Sequence, residues 1–158
     1  GGTIVVLTSP SNEDAESASP LHLQGCNMTD NAATAGNGGA LFVAAGVAVQ
    51  MRTVRATGNA AGGSGGAFAA SSCDSLLIAD SSSVTANRAG KSGGAVCAVG
   101  CRSLGIANST LSGNLAGLDS MLQLQASSTG TGTGVTPPEE AGVRTTYDTT
   151  TSLWQGRS

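Results

Sequence analysis

The sequence is poor in aromatic and charged residues. Aromatic residues make up 3% and charged residues 11% of the 158 residues, whereas about a quarter of an average globular protein is charged. A conventional core built around large aromatic side chains is therefore not expected. Disorder is not expected either, because 39% of the residues are apolar and the net charge is only -3, without the low hydrophobicity and high charge of unfolded chains.

Signals for several function classes are also missing. The seven Lys and Arg residues are scattered singly, so there is no basic stripe of the kind that nucleic acids need, and we predict no nucleic-acid partner. No apolar run approaches the ~20 residues of a membrane span. The chain begins with neither methionine nor a signal peptide, and we expect it to be an interior piece of a longer polypeptide.

Glycine, in contrast, is abundant and recurs with a fixed period. The stretches "NAATAGNGGAL", "NAAGGSGGAF" and "NRAGKSGGAV" start at residues 31, 59 and 87. The asparagines that open them, with a fourth further on, are 28, 28 and 27 residues apart: Asn31, Asn59, Asn87 and Asn114. We infer repeats starting near residues 1, 38, 65, 93 and 120, the last of them degenerate.

Each repeat contains three short apolar segments. The first follows the glycine pair ("ALFV", "AFAA", "AVCA"), and the second has apolar residues at alternate positions, such as Val49 and Met51. The third has one apolar residue three positions before each asparagine: Met28, Ala56, Val84 and Leu111. A period near 28 residues with strand-like segments predicts an all-β fold, a right-handed parallel β-helix of four to five coils over residues 1–125. Residues 126–158 are rich in Ser, Thr, Gly and Pro and are predicted to be an extended linker or a docking tail.

The period also predicts which residues have structural roles. Glycine pairs at a repeated corner supply positive φ angles or room for close approach, at Gly38, Gly39, Gly65, Gly66, Gly93 and Gly94. Stacked asparagines can bond the corner backbone and one another, so we predict an asparagine ladder.

Two cysteines occupy equivalent positions in consecutive repeats. Cys73 and Cys101 are 28 residues apart, which in a β-helix places their Cα atoms about 5 Å apart, within the range of a disulfide. We predict this bond, with Cys26 and Cys97 remaining thiols. The open alternative is that all four cysteines are small buried fillers.

The first strand of each repeat presents a possible interface. If the residues two and four positions after the first glycine face inward, an apolar column faces outward: Ile4, Leu41, Phe68 and Val96. Exposed apolar surface of this kind marks interaction sites. The alternatives are that the inward and outward positions are reversed, or that a neighbouring segment covers the column. In the tail, Tyr147 and Trp154 are candidate anchors for a partner.

No catalytic residue, cofactor or metal site is predicted. Asp30, Asp74, Asp80 and Asp119 fall at unrelated positions of the repeat, whereas polysaccharide-cleaving β-helices need clustered carboxylates. Glu13, Asp14 and Glu16 lie in an insertion that we interpret as a solvated loop, with weak cation binding or contact with a partner as the alternative. His22, the only histidine, is expected to face outward.

The repeated motifs resemble those of a known family. "GGAL", "GGAF" and "GGAV", together with "MTDN", "ATGN", "VTAN" and "LSGN", are similar to the repeats of the polymorphic outer-membrane protein family over residues 1 to about 125, although no Phe opens the second motif here. Similar repeats occur in large surface proteins of bacteria, algae and protists. The resemblance implies an extracellular or cell-surface location and an adhesive role.

From these patterns we expect a non-enzymatic structural or adhesive segment of a large surface protein, within a multi-subunit or filamentous assembly. Expected partners are other segments of the parent protein or neighbouring subunits that cap the coil ends, and glycans. Asn27 and Asn108 lie in "NMT" and "NST", which are N-glycosylation sequons. The alternative is a fragment of a carbohydrate-active β-helix enzyme, a polysaccharide lyase or hydrolase, whose catalytic coils lie elsewhere.

Overall fold

The computed structural model describes residues 4–7, 20–44 and 46–117, and the backbone of three further strands at 122–126, 144–148 and 153–157. Every regular element in these residues is a β-strand. Glu13, Asp14, Glu16 and Asp119 lie outside the described residues.

The strands stack into four sheets as the chain winds around a common axis. Sheet 1 contains five parallel strands: β1 (Ile4–Val6), β5 (Leu41–Val43), β9 (Phe68–Ser71), β13 (Val96–Cys101) and β17 (Leu122–Ala126). Sheet 2 contains β2 (Leu21–Gln24), β6 (Ala48–Arg52), β10 (Ser75–Ala79) and β14 (Ser103–Ile106). Sheet 3 contains β3 (Asn27–Thr29), β7 (Arg55–Thr57), β11 (Ser83–Thr85) and β15 (Thr110–Ser112). Sheet 4 contains β4 (Ala32–Ala33), β8 (Ala60–Ala61), β12 (Arg88–Ala89) and β16 (Leu115–Ala116).

This arrangement confirms the predicted parallel β-helix and its period. Leu41 pairs with Phe68, and Phe68 pairs with Val96, so equivalent residues of successive repeats lie above one another. The prediction of three strands per coil was wrong, because each coil has four. The fourth strand is only two residues long and directly follows the ladder asparagine, too short to show the alternation by which strands are recognised in sequence.

Four corners separate the four strands of a coil, and each corner uses a residue with positive φ. The corner before sheet 1, for example, has φ of 68° at Gly38, 71° at Gly65 and 66° at Gly93, the first glycine of each pair. The corner after sheet 1 has positive φ at Gly46, Ser72 and Gly100, the corner between sheets 2 and 3 at Gly25, Thr53, Asp80 and Asn108, and the corner between sheets 3 and 4 at Asp30, Gly58, Ala86 and Gly113. A left-handed residue turns the chain sharply at each corner.

The core is a column of aliphatic side chains with one aromatic. Val49 and Met51 of sheet 2 and Ala56 of sheet 3 are each 0% exposed, and Phe68 of sheet 1 is 1% exposed. Because the coil is narrow, one layer of branched and small residues from each sheet fills it. This explains how the chain forms a core with so few aromatic residues.

The predicted outward column on sheet 1 was wrong. Leu41 and Val96 are 0% exposed and Phe68 is 1% exposed, so these side chains belong to the core. Ile4 is 47% exposed, but it pairs with Leu41 and so occupies an inward position of the terminal strand, where no coil of the described residues covers it. Trp154 lies in a strand opposite Leu124 of β17, and its side chain is outside the described residues.

The cause of the reversal is an irregularity at the alanine of Gly-Gly-Ala. The N–H groups of Ala40 and Leu41 both donate to the carbonyl of Ala67, at 2.9 and 3.1 Å. Two residues facing one partner residue is the arrangement of a β-bulge, which breaks the alternation of side chains. Both the alanine and the residue after it therefore point inward, and the outward positions fall to Val5, Phe42, Ala69 and Cys97.

The tail continues sheet 1. β18 (Arg144–Asp148) and β19 (Leu153–Arg157) pair antiparallel with each other, and β19 pairs antiparallel with β17. These ten residues add a hairpin to the end of the sheet. The assignment of residues 126–158 to a linker or a docking tail stays a prediction.

Candidate functional site

The asparagine ladder runs through the corner between sheets 3 and 4. The side-chain amide of Asn59 donates to Oδ1 of Asn87 at 2.9 Å, and that of Asn87 donates to Oδ1 of Asn114 at 2.8 Å. Asn31 makes the same bond to Asn59 at 2.9 Å. The predicted ladder is confirmed over all four asparagines.

Each internal asparagine also bonds the backbone. In Asn87, Oδ1 accepts the N–H of Asn59 at 2.9 Å in addition to its side-chain amide. The second Nδ2–H of Asn87 donates to the carbonyl of Ala56 at 3.1 Å. Asn59 is 0% and Asn87 1% exposed, so these bonds satisfy groups that water does not reach.

This geometry explains the aliphatic-x-x-Asn spacing. The carbonyl that accepts from Asn87 belongs to Ala56, the inward residue three positions before Asn59 in the preceding coil. The same relation holds for Asn59 and Met28 at 2.8 Å and for Asn114 and Val84 at 2.8 Å. The motif therefore supplies the core residue and the hydrogen-bond partner of the next coil together.

The two glycines of each pair have different roles. The first, Gly65 for example, has φ of 71°, which favours glycine over any L-residue. The second lies against the next coil: a Cβ on Gly66 would meet the carbonyl oxygen of Gly94, with the backbone of Arg88 at 2.7 Å. The first glycine therefore combines positive φ with close approach, since a Cβ on Gly65 would also meet the carbonyl oxygen of Phe68, whereas the second is required by close approach alone.

A third glycine column went unnoticed in the sequence. A Cβ on Gly62 would meet the carbonyl oxygen of Thr34, one on Gly90 that of Gly62, and one on Gly117 that of Gly90. These glycines follow Asn59, Asn87 and Asn114 by three positions, in "NAAG", "NRAG" and "NLAG". That shared spacing is the signal by which they could have been found.

The disulfide between Cys73 and Cys101 is present, with a Cα–Cα distance of 4.4 Å. The two residues are 1% and 0% exposed. Cys26 and Cys97 are thiols, as predicted, but Cys97 lies on the outer side of sheet 1 and not inward. Burial raises the pKa of the Cys97 thiol, and a hydrogen bond with Ser64 lowers it in part.

The charged residues form pairs between coils. Arg52 bonds the carboxylate of Asp80, and Arg102 lies 3.5 Å from that of Asp74. Because these side chains are substantially exposed, each pair contributes at most about 1 kcal/mol. Within the parts of the chain described with side chains, no group of three or more His, Cys, Asp or Glu residues could hold a metal ion. His22 is exposed, as expected.

Both glycosylation sequons are accessible. Asn27 opens β3 with its side chain exposed, and Asn108 is exposed at the corner between sheets 2 and 3, with φ of 47°. Their modification remains a prediction. A search of the described residues found no helix long and apolar enough to cross a membrane.

Neither protein-family models nor searches of curated proteins and solved structures gave a match to this chain.

Proposed function

We propose that this chain is a non-enzymatic structural or adhesive segment of a large extracellular or cell-surface protein. The observation that carries the proposal is how the described polar side chains are used. The buried asparagines bond one another and the backbone. Four charged residues pair between coils, Arg52 with Asp80 and Arg102 with Asp74. Their bonds hold coils together.

The disulfide supports the extracellular part of the proposal. A buried bond between Cys73 and Cys101 links two consecutive coils, and disulfides persist in oxidising compartments. The accessible sequons at Asn27 and Asn108 and the resemblance of the repeats to those of surface proteins point the same way.

Labelling of cells that make the parent protein tests the location. Antibodies against the purified chain should stain intact cells as strongly as permeabilised ones, and non-reducing peptide mapping of the natural protein should recover the Cys73–Cys101 link. Staining that needs permeabilisation, together with free thiols at both positions, would overturn the proposal.

The enzymatic alternative predicts a different result for the natural protein. A carbohydrate-active β-helix with catalytic coils elsewhere would release new reducing ends or unsaturated sugars from a panel of acidic and neutral polysaccharides. A structural segment would leave the polysaccharides intact while the chain, coupled to beads, remains able to bind cells or matrix. Sugar release would favour the alternative.

A further inference from the structure

The N-terminal end of the β-helix exposes its core. Leu41 of the second coil is fully buried, whereas Ile4, at the same position of the first coil, is 47% exposed. Leu21 and Leu23 are only partly buried, although their partners Val49 and Met51 are 0% exposed. The difference arises because, among the described residues, coil one has a neighbouring coil on one side only.

The strands at this end also have open edges. β1, β2, β3 and β4 are each the terminal strand of their sheet and each pair with one neighbour. Open parallel edges present unpaired N–H and C=O groups to any strand that adds to them. Four strand edges to which no described strand pairs therefore frame the exposed apolar cross-section.

The asparagine ladder stops at this end with bonding groups unused. Asn31 donates its backbone N–H at 3.0 Å and its side-chain amide at 2.9 Å to Oδ1 of Asn59. Among the described residues, Oδ1 of Asn31 accepts no bond, and the second Nδ2–H donates none. In Asn87 the equivalent atoms accept two N–H groups of the preceding asparagine and donate to the carbonyl three residues before it.

The other end of sheet 1 is different. There, β17 is followed by the antiparallel strand β19 and then by β18. A further coil of a parallel β-helix cannot pair with β17 at an edge that β19 already occupies. Growth of the stack in sheet 1 is thus open at the N-terminal end and closed at the C-terminal end.

We infer that the N-terminal end of the β-helix, formed by β1 to β4 and Asn31, is a docking surface for a further parallel coil that carries an aliphatic-x-x-Asn motif and enters covalently through β1. Such a coil supplies two N–H donors for Oδ1 of Asn31 and a carbonyl acceptor for its second Nδ2–H. It also supplies aliphatic side chains that pack against Ile4 and Leu21. The last strand of each coil connects to the first strand of the next coil through a corner, as residues 62–67 connect β8 to β9. A preceding coil can therefore connect to β1 through a corner of the same kind.

A second copy of the chain fits this surface less well. The antiparallel hairpin at the other end obstructs an end-to-end stack of two copies in sheet 1. The inference rests on the proposal that the chain is a segment of a larger protein, but not on its extracellular location. It specifies which end is covered and by what chemistry.

The test adds one coil to the full chain. A copy of residues 38–64, which contains Asn59 and no cysteine, is fused before residue 1. Amide hydrogen exchange then measures the protection of β1 and β2, with β10 as an internal control for folding. We expect protection of Ile4–Val6 and Leu21–Gln24 to rise about tenfold or more, because terminal strands become internal ones.

A matched fusion carries Asn59→Ala in the added copy only, and a third carries the copied residues in scrambled order. We expect the Asn59→Ala fusion to lose most of the gain in protection and the scrambled fusion to show no gain. Equal protection with all three extensions, or no gain with the intact copy, would overturn the inference. A dimer of the unextended chain that dissociates on extension would overturn it too, because the surface would then belong to a second copy.

If β10 loses protection in the fusion, the comparison is made with synthetic peptides of residues 38–64, with and without Asn59→Ala, added to the unextended chain. Resonance shifts at β1 to β4 that occur only with the asparagine peptide are expected. Identical shifts with both peptides, or none, would overturn the inference. Surface labelling of cells is unaffected by either outcome, so failure here is distinguishable from failure of the proposed function.

Discussion

Replacing Asn87 with alanine tests the energetic role of the ladder. The substitution removes the acceptor shared by two donors of Asn59, its backbone N–H and one N–H of its side-chain amide, each of which bonds Oδ1 of Asn87 at 2.9 Å. It also removes the donor to the carbonyl of Ala56. Asn114 is affected less, since its Oδ1 still accepts the backbone N–H of residue 87.

Two buried N–H groups of Asn59 are thus left without an acceptor, and the carbonyl of Ala56 loses one donor. At ~1 to 3 kcal/mol for each unsatisfied buried group, the loss of the two N–H bonds would be about 2 to 6 kcal/mol. A water molecule in the vacated space can restore some of the bonds, which places the expected loss at about 2 to 5 kcal/mol. Domains are stable by only ~5 to 15 kcal/mol, so the variant should be close to unfolding at room temperature.

Asn31→Ala is the matched control within the same ladder. Asn31 is half-buried, and its side chain makes one hydrogen bond among the described residues, to Oδ1 of Asn59. After the substitution this oxygen still accepts the backbone N–H of residue 31. We expect its loss to cost about 1 kcal/mol or less. Urea unfolding followed by the strand signal in circular dichroism gives both values, provided that the denaturant dependence is unchanged. Equal losses in the two variants would refute the reasoning.

Three further predictions concern the corners and a thiol. Gly66→Ala should prevent folding, because its Cβ would lie 2.7 Å from the backbone of Arg88. Gly36→Ala is the control, since its Cβ would meet only Ala33 at 3.8 Å. Its free energy of unfolding in urea should stay within about 0.5 kcal/mol of the parent value. Ala86→Gly should raise the free energy of unfolding by about 0.5 to 1 kcal/mol, because Ala86 has φ of 54°, which strains an L-residue, and glycines occupy the same corner in the coils on either side. A lower free energy of unfolding in the variant would contradict this backbone strain. At pH 8, iodoacetamide should modify Cys97 about tenfold or more slowly than Cys26. Burial raises the pKa of the Cys97 thiol, and the thiolate is the reactive form. Equal rates of modification, measured by mass spectrometry, would contradict the burial of Cys97.

Most of the ladder and the disulfide could be predicted from the sequence, because a stacked fold converts spacing into distance. Residues 28 positions apart in successive coils lie one strand spacing apart, about 4.8 Å. Cys73 and Cys101 needed no further information to be placed together, and neither did Asn59 and Asn87. The third glycine column, with Gly90 at its centre, was accessible by the same argument.

The two faces of the first strand could not be assigned in this way. Alternation assumes that every residue advances the strand by one step, but the alanine of Gly-Gly-Ala shares a carbonyl partner with the next residue. Whether two N–H groups converge on one oxygen depends on how the corner meets the coil above it. No local pattern in "GGALFV" contains that information.

The sequence by itself therefore determined the period, the parallel stacking and the residues that stack, since these follow from regular spacing alone. Only the tertiary structure decided which side of sheet 1 faces the core, where a two-residue strand closes each coil, and that Thr53, Ser72 and Ala86 adopt positive φ. These depend on where the backbone of one coil meets the next, and the neighbouring coil imposes a corner geometry that the local residues do not prefer.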